Sequence, residues 1–334
     1  VDLVRCGELQ LRDFERRNSV SKQAILGDNL PPQLIEMMGD NLEVVEWSKN
    51  TDDAALAHCV GLIAFSHPTA DGPLMDRMPN LKIISNHGVG VDHIDVAAAT
   101  ARNIPVGNTP GCLDASTADM TMALLLSVAR NVLVGDRFAR GPEFTFHDPS
   151  ILIGQEVTGS TLGIVGMGRI GAQVARRAKG FEMKILYHNR NRCPELEGEL
   201  GVQYVDFDEL LSESDFVSLN CPLTTETTGL ISTPQFQRMK RSAILLNMAR
   251  GPVVDTDALV AALQCGEITA AGLDVTDPEP LPRNHPLLSL ENVIVLPHLG
   301  SASNRTRQRM MEMTVENLLA GLEGDTLPYP VHSN

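Results

Sequence analysis

Short apolar runs alternate with amphipathic or alanine-rich stretches along most of this chain. In its first third, runs of branched and aliphatic residues predict strands at residues 24–27, 42–47, 61–65, 81–85 and 104–107. Between them, proline starts, acidic first turns and alanine predict helices at residues 32–38, 51–58, 73–78 and 95–101. Because strands that alternate with helices form parallel sheets, we expect a flavodoxin-like α/β unit here.

A second alternating series follows a long apolar stretch that predicts one helix over residues 115–139. Further strands are predicted at residues 161–165, 184–187, 216–219, 243–247, 270–274 and 293–296, as in a doubly wound dinucleotide fold. Residues 304–322 then predict a helix that returns to the first unit. With 334 residues, the chain also exceeds what one hydrophobic core usually serves. We therefore predict two doubly wound parallel-sheet domains: a flavodoxin-like substrate domain at residues 1–112 and 303–334, and a Rossmann domain at residues 113–302.

The formal net charge of −15 argues against a nucleic-acid partner, because binding phosphates needs a concentrated basic face. The six cysteines are scattered without a Cys-x-x-Cys pair, which is typical of reduced thiols in an intracellular protein. No apolar run approaches the length of a membrane span, and residues 1–22 lack the apolar centre of a signal peptide. We therefore expect a soluble cytoplasmic protein that binds neither nucleic acid nor membrane, and we predict no metal site.

A glycine-rich turn follows the strand predicted at residues 161–165, and it reads Gly166, Met167, Gly168, Arg169, Ile170 and Gly171. In a dinucleotide-binding turn the first glycine allows the tight bend, the second lets the backbone approach a pyrophosphate, and the third lets helix and strand pack closely. The helix predicted over residues 169–179 then offers free N–H groups to the anion. The alternative is a glycine turn without a ligand, which the strand before it and the helix after it disfavour.

The nucleotide choice is indicated about twenty residues further on, where NAD-binding domains normally hold the ribose 2′-hydroxyl with Asp or Glu. This chain has no acid there and carries His188, Asn189, Arg190 and Arg192 instead. An acid would repel a 2′-phosphate, whereas the two arginines can pair with it through charge-assisted hydrogen bonds. The sequence therefore favours NADP(H) as the cofactor, against the alternative of a solvated basic turn.

Three residues with complementary chemistry follow three later strands: Arg250, Glu279 and His298. Ligands of open α/β sheets bind beyond the carboxyl ends of the strands, so these side chains can converge on one small acidic substrate. Reduction of a 2-keto acid needs a carboxylate anchor, for which the planar fork of Arg250 is suited, and a proton donor, for which His298 is suited. Glu279 would orient the imidazole and favour its charged form. The alternatives are a surface or interface role for Arg250, a plain loop acid at Glu279, and His87 as a competing histidine in contact with the substrate.

Several short motifs carry a resemblance to one family. They are residues 87–92 (His-Gly-Val-Gly-Val-Asp), the glycine turn, residues 221–224 (Cys-Pro-Leu-Thr), 249–251 (Ala-Arg-Gly), 272–275 (Gly-Leu-Asp-Val) and 297–298 (Pro-His). On these motifs the chain resembles the D-isomer-specific 2-hydroxyacid dehydrogenases, and residues 272–288 look most like the glyoxylate and hydroxypyruvate reductase branch. The resemblance implies reduction of glyoxylate to glycolate or of hydroxypyruvate to D-glycerate, with Arg250, Glu279 and His298 as the catalytic set.

The same resemblance implies further site residues and a homodimer. The backbone amides of Val89 and Gly90 would help to bind the substrate carboxylate. Asp274 would hold the nicotinamide carboxamide, Thr117 would lie on the nicotinamide side, and a further set would line the cofactor cleft: Cys221, Pro222, Ala249 and Ser301. The family is dimeric through its cofactor domain, where an aromatic residue of the 140s loop is expected to reach the partner's site.

Two other functions stay open at this point. Phe144 and Phe146 stand where the reductase branch tends to carry tryptophan, so a larger sugar acid such as 2-ketogluconate is an alternative substrate. A transcriptional corepressor similar to the C-terminal binding proteins shares the fold and the catalytic set, and it is the alternative from another class. The Arg190 and Arg192 pair disfavours the corepressor. A formate dehydrogenase is disfavoured because that family carries glutamine where Glu279 stands.

Overall fold

The computed structural model describes residues 22–65 and 69–332, in which the chain divides into two compact units. The first unit comprises the described residues up to Pro110 together with those from Arg307 onward. The second unit comprises Gly111–Thr306. The prediction that residues 1–22 are not a signal peptide concerns a segment of which residues 1–21 lie outside the described residues.

The first unit is built on a five-stranded parallel sheet with the strand order β2-β1-β3-β4-β5. This is the flavodoxin-like order. The strands are β1 Gln23–Gly27, β2 Leu42–Glu46, β3 Cys59–Ala64, β4 Ile83–Asn86 and β5 Val106–Gly107. The helices are α1 Pro32–Met38, α2 Asp53–His58, α3 Gly72–Asp76 and α4 Val96–Ala101. Three of these helices begin after an aspartate whose side chain accepts a backbone N–H of the first turn: Asp52, Asp71 and Asp95.

The second unit is built on a seven-stranded parallel sheet with the order β12-β11-β10-β9-β6-β7-β8. If the strands are numbered 1 to 7 within this unit and read from the β8 edge, the order is 3-2-1-4-5-6-7. This is the Rossmann order 3-2-1-4-5-6 extended by one strand. The strands are β6 Thr161–Val165, β7 Lys184–His188, β8 Gln203–Tyr204, β9 Phe216–Leu219, β10 Ile244–Asn247, β11 Ala270–Leu273 and β12 Val293–Val295. The helices are α5 Asp114–Ala129, α6 Val132–Arg140, α7 Arg169–Ala178, α8 Pro194–Leu200, α9 Phe207–Glu213, α10 Thr233–Arg238 and α11 Thr256–Cys265. The two parallel-sheet α/β architectures predicted from the alternating pattern are confirmed.

The last helix is α12 Asn304–Glu323. Its apolar side chains Met311, Val315 and Leu318 join a buried cluster with Ile25 and Ile83 of the first sheet. Helix α12 thereby covers one face of a sheet whose strands lie more than two hundred residues earlier in the chain.

The prediction of a single helix over residues 115–139 is wrong, because α5 and α6 are separate and lie at 59° to each other. Asn131 between them has a φ of 54°, in the left-handed region, which ends the first helix. The loop after α6 stabilises this break between the helices. The side chain of Asn131 donates hydrogen bonds to the carbonyl oxygens of Leu152 and Ile153 in that loop, at 3.3 and 3.4 Å. The two-residue strand β8 was also not predicted, because a strand of that length has no periodicity to detect.

No single helix in the described part of the chain has the length and apolarity needed to cross a membrane, although α5 and α6 meet that test together as a bent pair.

Candidate active site

The carboxyl ends of three adjacent strands of the second unit carry the predicted catalytic residues. β10, β11 and β12 are parallel neighbours, so their carboxyl ends lie along one edge of the sheet. Arg250 follows β10, Glu279 follows β11 and His298 follows β12. The structure brings two of them into direct contact: the Nδ1 atom of His298 lies 2.8 Å from Oε1 of Glu279. Their side chains remain 45% and 40% exposed, which leaves the pair accessible to a ligand.

Glu279 is held as a carboxylate by the groups around it. Partial burial acts to raise its pKa, but the hydrogen bond and charge of His298, the backbone N–H of Thr276 and the positive charge of Arg250 outweigh burial and lower it. The Thr276 N–H reaches Oε2 at 3.3 Å, so each carboxylate oxygen has a partner. With Nδ1 of His298 bound to this anion, the Nε2 atom is the ring nitrogen left to face a substrate.

Arg250 is positioned by the buried residue at the end of β10. The Asn247 side chain donates to the Arg250 carbonyl oxygen at 2.9 Å and accepts the Ala249 N–H at 3.1 Å. The Nη1 atom of Arg250 donates to the Ala249 carbonyl oxygen at 2.8 Å. A side chain on Gly251 would overlap the carbonyl oxygen of Thr276, so only glycine lets the chain after Arg250 pass this close to the residues leading to Glu279.

Asp274, at the end of β11, fixes the loop that carries His298. Its carboxylate accepts the N–H groups of Leu299 at 2.6 Å and Gly300 at 2.8 Å, and its carbonyl oxygen accepts the N–H of His298 at 2.9 Å. His298 itself has a φ of 56°, a left-handed conformation that costs a non-glycine residue free energy unless its surroundings hold it. Ser116 adds a bond from α5 to the Gly300 carbonyl oxygen at 3.0 Å. His298 is therefore held through its backbone as well as through its side-chain contact with Glu279.

The glycine turn after β6 has the geometry of a dinucleotide site. Gly166 has a φ of 100°, and a side chain there would lie 2.6 Å from the backbone nitrogen of Cys221, two residues beyond the end of β9. A side chain on Gly171 would overlap the carbonyl oxygen of Gly166. A side chain on Gly168 would meet no protein atom within 4 Å. The first and third glycines are thus required by the fold, whereas the second faces open space at the N-terminus of α7.

That open space fits a nicotinamide dinucleotide. β6 and β9 are adjacent, and the strand order reverses between them, which is where Rossmann sheets bind their ligand. Gly168 provides the bare backbone that a pyrophosphate needs, and the N-terminal N–H groups of α7 provide the donors. The Nδ2 atom of Asn220, beside the turn, is a buried donor without a hydrogen-bond partner in the described structure. The reversal of strand order, the open space at Gly168 and the unpartnered Nδ2 atom of Asn220 thus support a ligand site here in addition to the sequence motif.

The turn after β7 holds the residues predicted to select the nucleotide. The Asn189 side chain accepts the N–H of Met167 at 2.6 Å, which joins this turn to the glycine turn. His188 directs Nδ1 at the Val205 carbonyl oxygen at 3.0 Å and stacks on Tyr204. Both arginines of the turn are exposed, and Arg192 forms an ion pair with Glu197. The two arginines therefore differ: Arg192 is bound to Glu197, whereas Arg190 is exposed and its positive charge acts on the carboxylate of Glu226.

Other predicted cofactor residues lie on the same unit. Arg169, at the start of α7, pairs with Asp114 of α5 at 2.8 Å. Thr117 of α5 is buried beside Gly300, and Ala249 is buried after β10. Burial raises the pKa of the Cys221 thiol to about 11. The remaining members are placed as follows: Ile170 packs against the core beneath the glycine turn, Pro222 accepts a bond from Thr227, and Ser301 follows Gly300 in the His298 loop.

The substrate residues predicted in the first unit follow β4. His87 is only 8% exposed, lies 3.0 Å from the Thr314 hydroxyl through Nδ1 and stacks on Phe65. Burial first, and the nearby charge of Arg307 second, lower its pKa to about 4. The ring is thus neutral at physiological pH and mostly enclosed by its own unit, and its contact with substrate stays a prediction.

The loop at Val89 and Gly90 is shaped by two buried or half-buried amides. Asn86 donates to the carbonyl oxygens of Gly88 and Gly90 at 2.9 Å each, and Asn108 donates to that of Val89 at 2.9 Å. Within the described residues, no hydrogen bond engages the N–H groups of Val89 and Gly90. With their carbonyls bound to the chain and their N–H groups open, these two residues can act as an anion-binding turn.

Several residues that the structure places at the site were not predicted from the sequence. Glu197 lies in a helix five residues after Arg192, and this spacing gives no indication in the sequence that the two side chains are in contact. Asn220 follows β9 in the same way that His298 follows β12, so position at a strand end was the signal available for it. Asp114 pairs with Arg169 across 55 residues and had no sequence signal.

Comparison with known proteins agrees with this geometry. A family model described as the NAD-binding domain of D-isomer-specific 2-hydroxyacid dehydrogenases matches residues 122–300. A glyoxylate reductase of Korarchaeum cryptofilum is 47% identical over 307 residues, which cover 90% of this chain and 92% of that relative. A glyoxylate reductase of Pyrococcus horikoshii is 44% identical over 310 residues, with the same shares of the two chains covered.

Solved structures give the same result. A protein of Thermus thermophilus is 47% identical with a TM-score of 0.84, covering 92% of this chain and 99% of that chain. An NADPH-dependent glyoxylate/hydroxypyruvate reductase of Sinorhizobium meliloti, crystallised with NADP and malonate, is 34% identical with a TM-score of 0.84 and covers 93% and 97%.

Proposed function

This chain belongs to the D-isomer-specific 2-hydroxyacid dehydrogenase family, and from that premise we propose that it is an NADPH-dependent reductase of glyoxylate and hydroxypyruvate. The observation that carries the proposal is the His298 and Glu279 pair at 2.8 Å, which lies beside the positive charge of Arg250 at the carboxyl ends of three neighbouring strands. An acid and base pair next to a cation is what reduction of a small 2-keto acid requires. The names of the relatives, glyoxylate reductase among them, support this substrate class.

The proposed mechanism divides substrate binding and proton transfer among Arg250, His298 and Glu279. The guanidinium of Arg250 binds the substrate carboxylate and polarises the keto oxygen. Nε2 of His298 gives its proton to that oxygen, while the Glu279 carboxylate at Nδ1 orients the ring and stabilises its charged form. The open N–H groups of Val89 and Gly90 are proposed as a second anchor for the carboxylate. When bound, the nicotinamide cofactor supplies the hydride.

The residues proposed to hold that cofactor are those of the glycine turn and the turn after β7. Gly168 and the N-terminus of α7 would receive the pyrophosphate, and Thr117, Asp274 and Ser301 would lie toward the nicotinamide. Cys221, Pro222 and Ala249 would line the cleft between. NADPH is favoured over NADH because no acid of this turn stands where the 2′-phosphate would be repelled, whereas Arg190 is exposed there. The relative crystallised with NADP supports the same choice.

A homodimer in the cytoplasm completes the proposal. Helix α6 has no buried residue, and large apolar side chains are exposed on it and on the loop after it: Val132, Leu133, Phe144, Phe146, Ile151, Leu152 and Ile153. Exposed apolar surface of this kind marks a protein interface. Light scattering on the purified chain and on a Leu133→Glu variant tests it, and a monomeric unmodified chain contradicts it.

The test of the function is the rate of NADPH oxidation, followed by absorbance, against glyoxylate, hydroxypyruvate, pyruvate and 2-ketogluconate. We expect the two small substrates to give the highest kcat/KM. A preference for 2-ketogluconate identifies the sugar-acid reductase instead. The absence of turnover with every keto acid, together with tight NADPH binding, leaves a nucleotide-sensing protein and overturns the enzyme proposal.

A further inference from the structure

The guanidinium of Arg192 is held on two of its nitrogens by one carboxylate. Nε donates to Oε1 of Glu197 at 2.7 Å, and Nη2 donates to Oε2 at 2.6 Å. The two side chains are unequally exposed, at 63% for Arg192 and 16% for Glu197. The arginine therefore presents its outer edge to solvent while the glutamate beneath it fixes its plane.

Glu197 is in turn fixed to the core of the sheet. The hydroxyl of Tyr187, a fully buried side chain of β7, donates to Oε1 of Glu197 at 2.7 Å. The same hydroxyl accepts the backbone N–H of Cys193 at 2.7 Å. The hydrogen bonds of Arg192 and then of Tyr187 lower the pKa of Glu197 to about 2, so the carboxylate is ionised at every working pH. This chain of bonds joins the strand, the turn and α8.

The consequence is a preorganised cation in the turn that follows β7. A free arginine side chain loses much rotamer freedom when it binds a ligand, and one that is already held loses little. The Nη1 atom of Arg192 makes no hydrogen bond within the described chain and is available to an anion. Arg190, two residues earlier, is exposed, and its charge acts on Glu226 rather than on Glu197. The glutamate also carries a negative charge, which opposes an incoming phosphate but lies on the far side of the guanidinium.

We propose that Glu197 is a positioning residue for nucleotide choice: anchored by Tyr187, it orients Arg192 toward the 2′-phosphate of the cofactor. This inference rests on the proposed preference for NADPH. The competing effect, neutralisation of Arg192 by Glu197, predicts the opposite sign, because removal of the carboxylate would then strengthen phosphate binding.

The experiment measures binding by titration calorimetry on the full chain, with adenosine 2′,5′-bisphosphate and 5′-AMP as probes that differ in the 2′-phosphate alone. The variants are Glu197→Ala, Glu197→Gln, Arg192→Ala and the Arg192→Ala/Glu197→Ala double variant. Glu199→Ala is the matched control, because Glu199 lies on the same helix and pairs at 2.7 Å with the exposed Arg176. Thermal unfolding of each variant shows whether it is folded.

We expect Glu197→Ala to weaken adenosine 2′,5′-bisphosphate by about two- to tenfold and to leave 5′-AMP unchanged, as for the loss of one hydrogen bond. Glu197→Gln can keep the hydrogen bond from Tyr187, so it should lose less affinity for adenosine 2′,5′-bisphosphate than Glu197→Ala. This variant tests the inference even if Glu197→Ala unfolds. In the Arg192→Ala background the loss should vanish. Unchanged or tighter bisphosphate binding, or an equal loss for both probes, overturns the inference. An unmodified chain that binds both probes equally refutes the NADPH preference itself, which is a separate and recognisable result.

Discussion

Replacement of Gly168 by alanine should weaken binding of the cofactor without changing the stability of the fold. A methyl group at this position meets no protein atom within 4 Å. The backbone, at φ −85° and ψ −156°, is extended and open to alanine. The variant should therefore fold normally, with a free energy of unfolding within about 0.5 kcal/mol of the unmodified chain.

The substitution should instead weaken binding of the dinucleotide. Ala172 is the first residue of α7 whose N–H closes a helical bond, to the Gly168 carbonyl oxygen at 2.9 Å, so the N–H groups before it are the donors offered to a pyrophosphate. A methyl group in front of them displaces the anion from at least one. A hydrogen bond to a charged group contributes about 1.5–3 kcal/mol, which corresponds to roughly 10- to 150-fold weaker NADPH binding.

Two other glycines of the same unit serve as controls. Gly198, inside α8, also has open space around it, so Gly198→Ala should leave both stability and NADPH affinity unchanged or slightly improve stability. Gly171→Ala would overlap the Gly166 carbonyl oxygen and should lower the unfolding temperature of the ligand-free protein. Calorimetric titration with NADPH and thermal unfolding without it measure the two effects. Normal NADPH affinity in Gly168→Ala would show that the pyrophosphate does not lie against this turn, and the cofactor site would have to be placed elsewhere.

The remaining predictions concern proton transfer and nucleotide choice. His298→Gln should lose about 10²- to 10⁴-fold in kcat while NADPH affinity stays nearly intact, and a small loss of kcat would remove His298 as the proton donor. Neighbouring groups lower the pKa of Glu279 and keep it ionised, so Glu279→Gln removes a negative charge that lies 2.8 Å from the His298 ring; the alkaline limb of the pH profile for reduction should therefore move to lower pH. A limb that stays in place or moves upward contradicts that coupling. Replacement of both Arg190 and Arg192 by alanine should weaken NADPH on the order of 10²-fold in kcat/KM and leave NADH nearly unchanged, whereas equal effects on both nucleotides would contradict a 2′-phosphate contact.

Features encoded within a few residues were predictable from the sequence. The glycine turn is one: the tight bend at Gly166 and the close packing at Gly171 are consequences of a strand, a turn and a helix that are contiguous in the chain. The alternation of strands and helices likewise predicted two parallel sheets. The position of His298 after a strand predicted that it lies at the edge where ligands of such sheets bind.

Features that depend on contacts distant in sequence were not predictable. The break between α5 and α6 depends on a loop about twenty residues later, whose carbonyl oxygens bind the side chain of Asn131. The apolar pattern continues through the break and carries no sign of it. The ion pair of Arg192 with Glu197 was missed for a related reason. It depends on the buried hydroxyl of Tyr187, which in sequence is one more aromatic residue of a strand.

The backbone around Asp274 explains why sequence motifs and site geometry coincide in this chain. A histidine with a left-handed φ needs external support, and here both carboxylate oxygens of Asp274 bind the two amides that follow it. The space for this arrangement is narrow, since a side chain on Gly300 would lie 3.1 Å from the carboxylate and 3.3 Å from Thr117. The aspartate after β11, the histidine after β12 and the glycine two residues later are therefore interdependent, because a change in one removes the support or the space that the others use. The Gly-Leu-Asp-Val and Pro-His motifs thus belong to one structure, in which Asp274 holds His298 in a backbone conformation that a non-glycine residue otherwise disfavours.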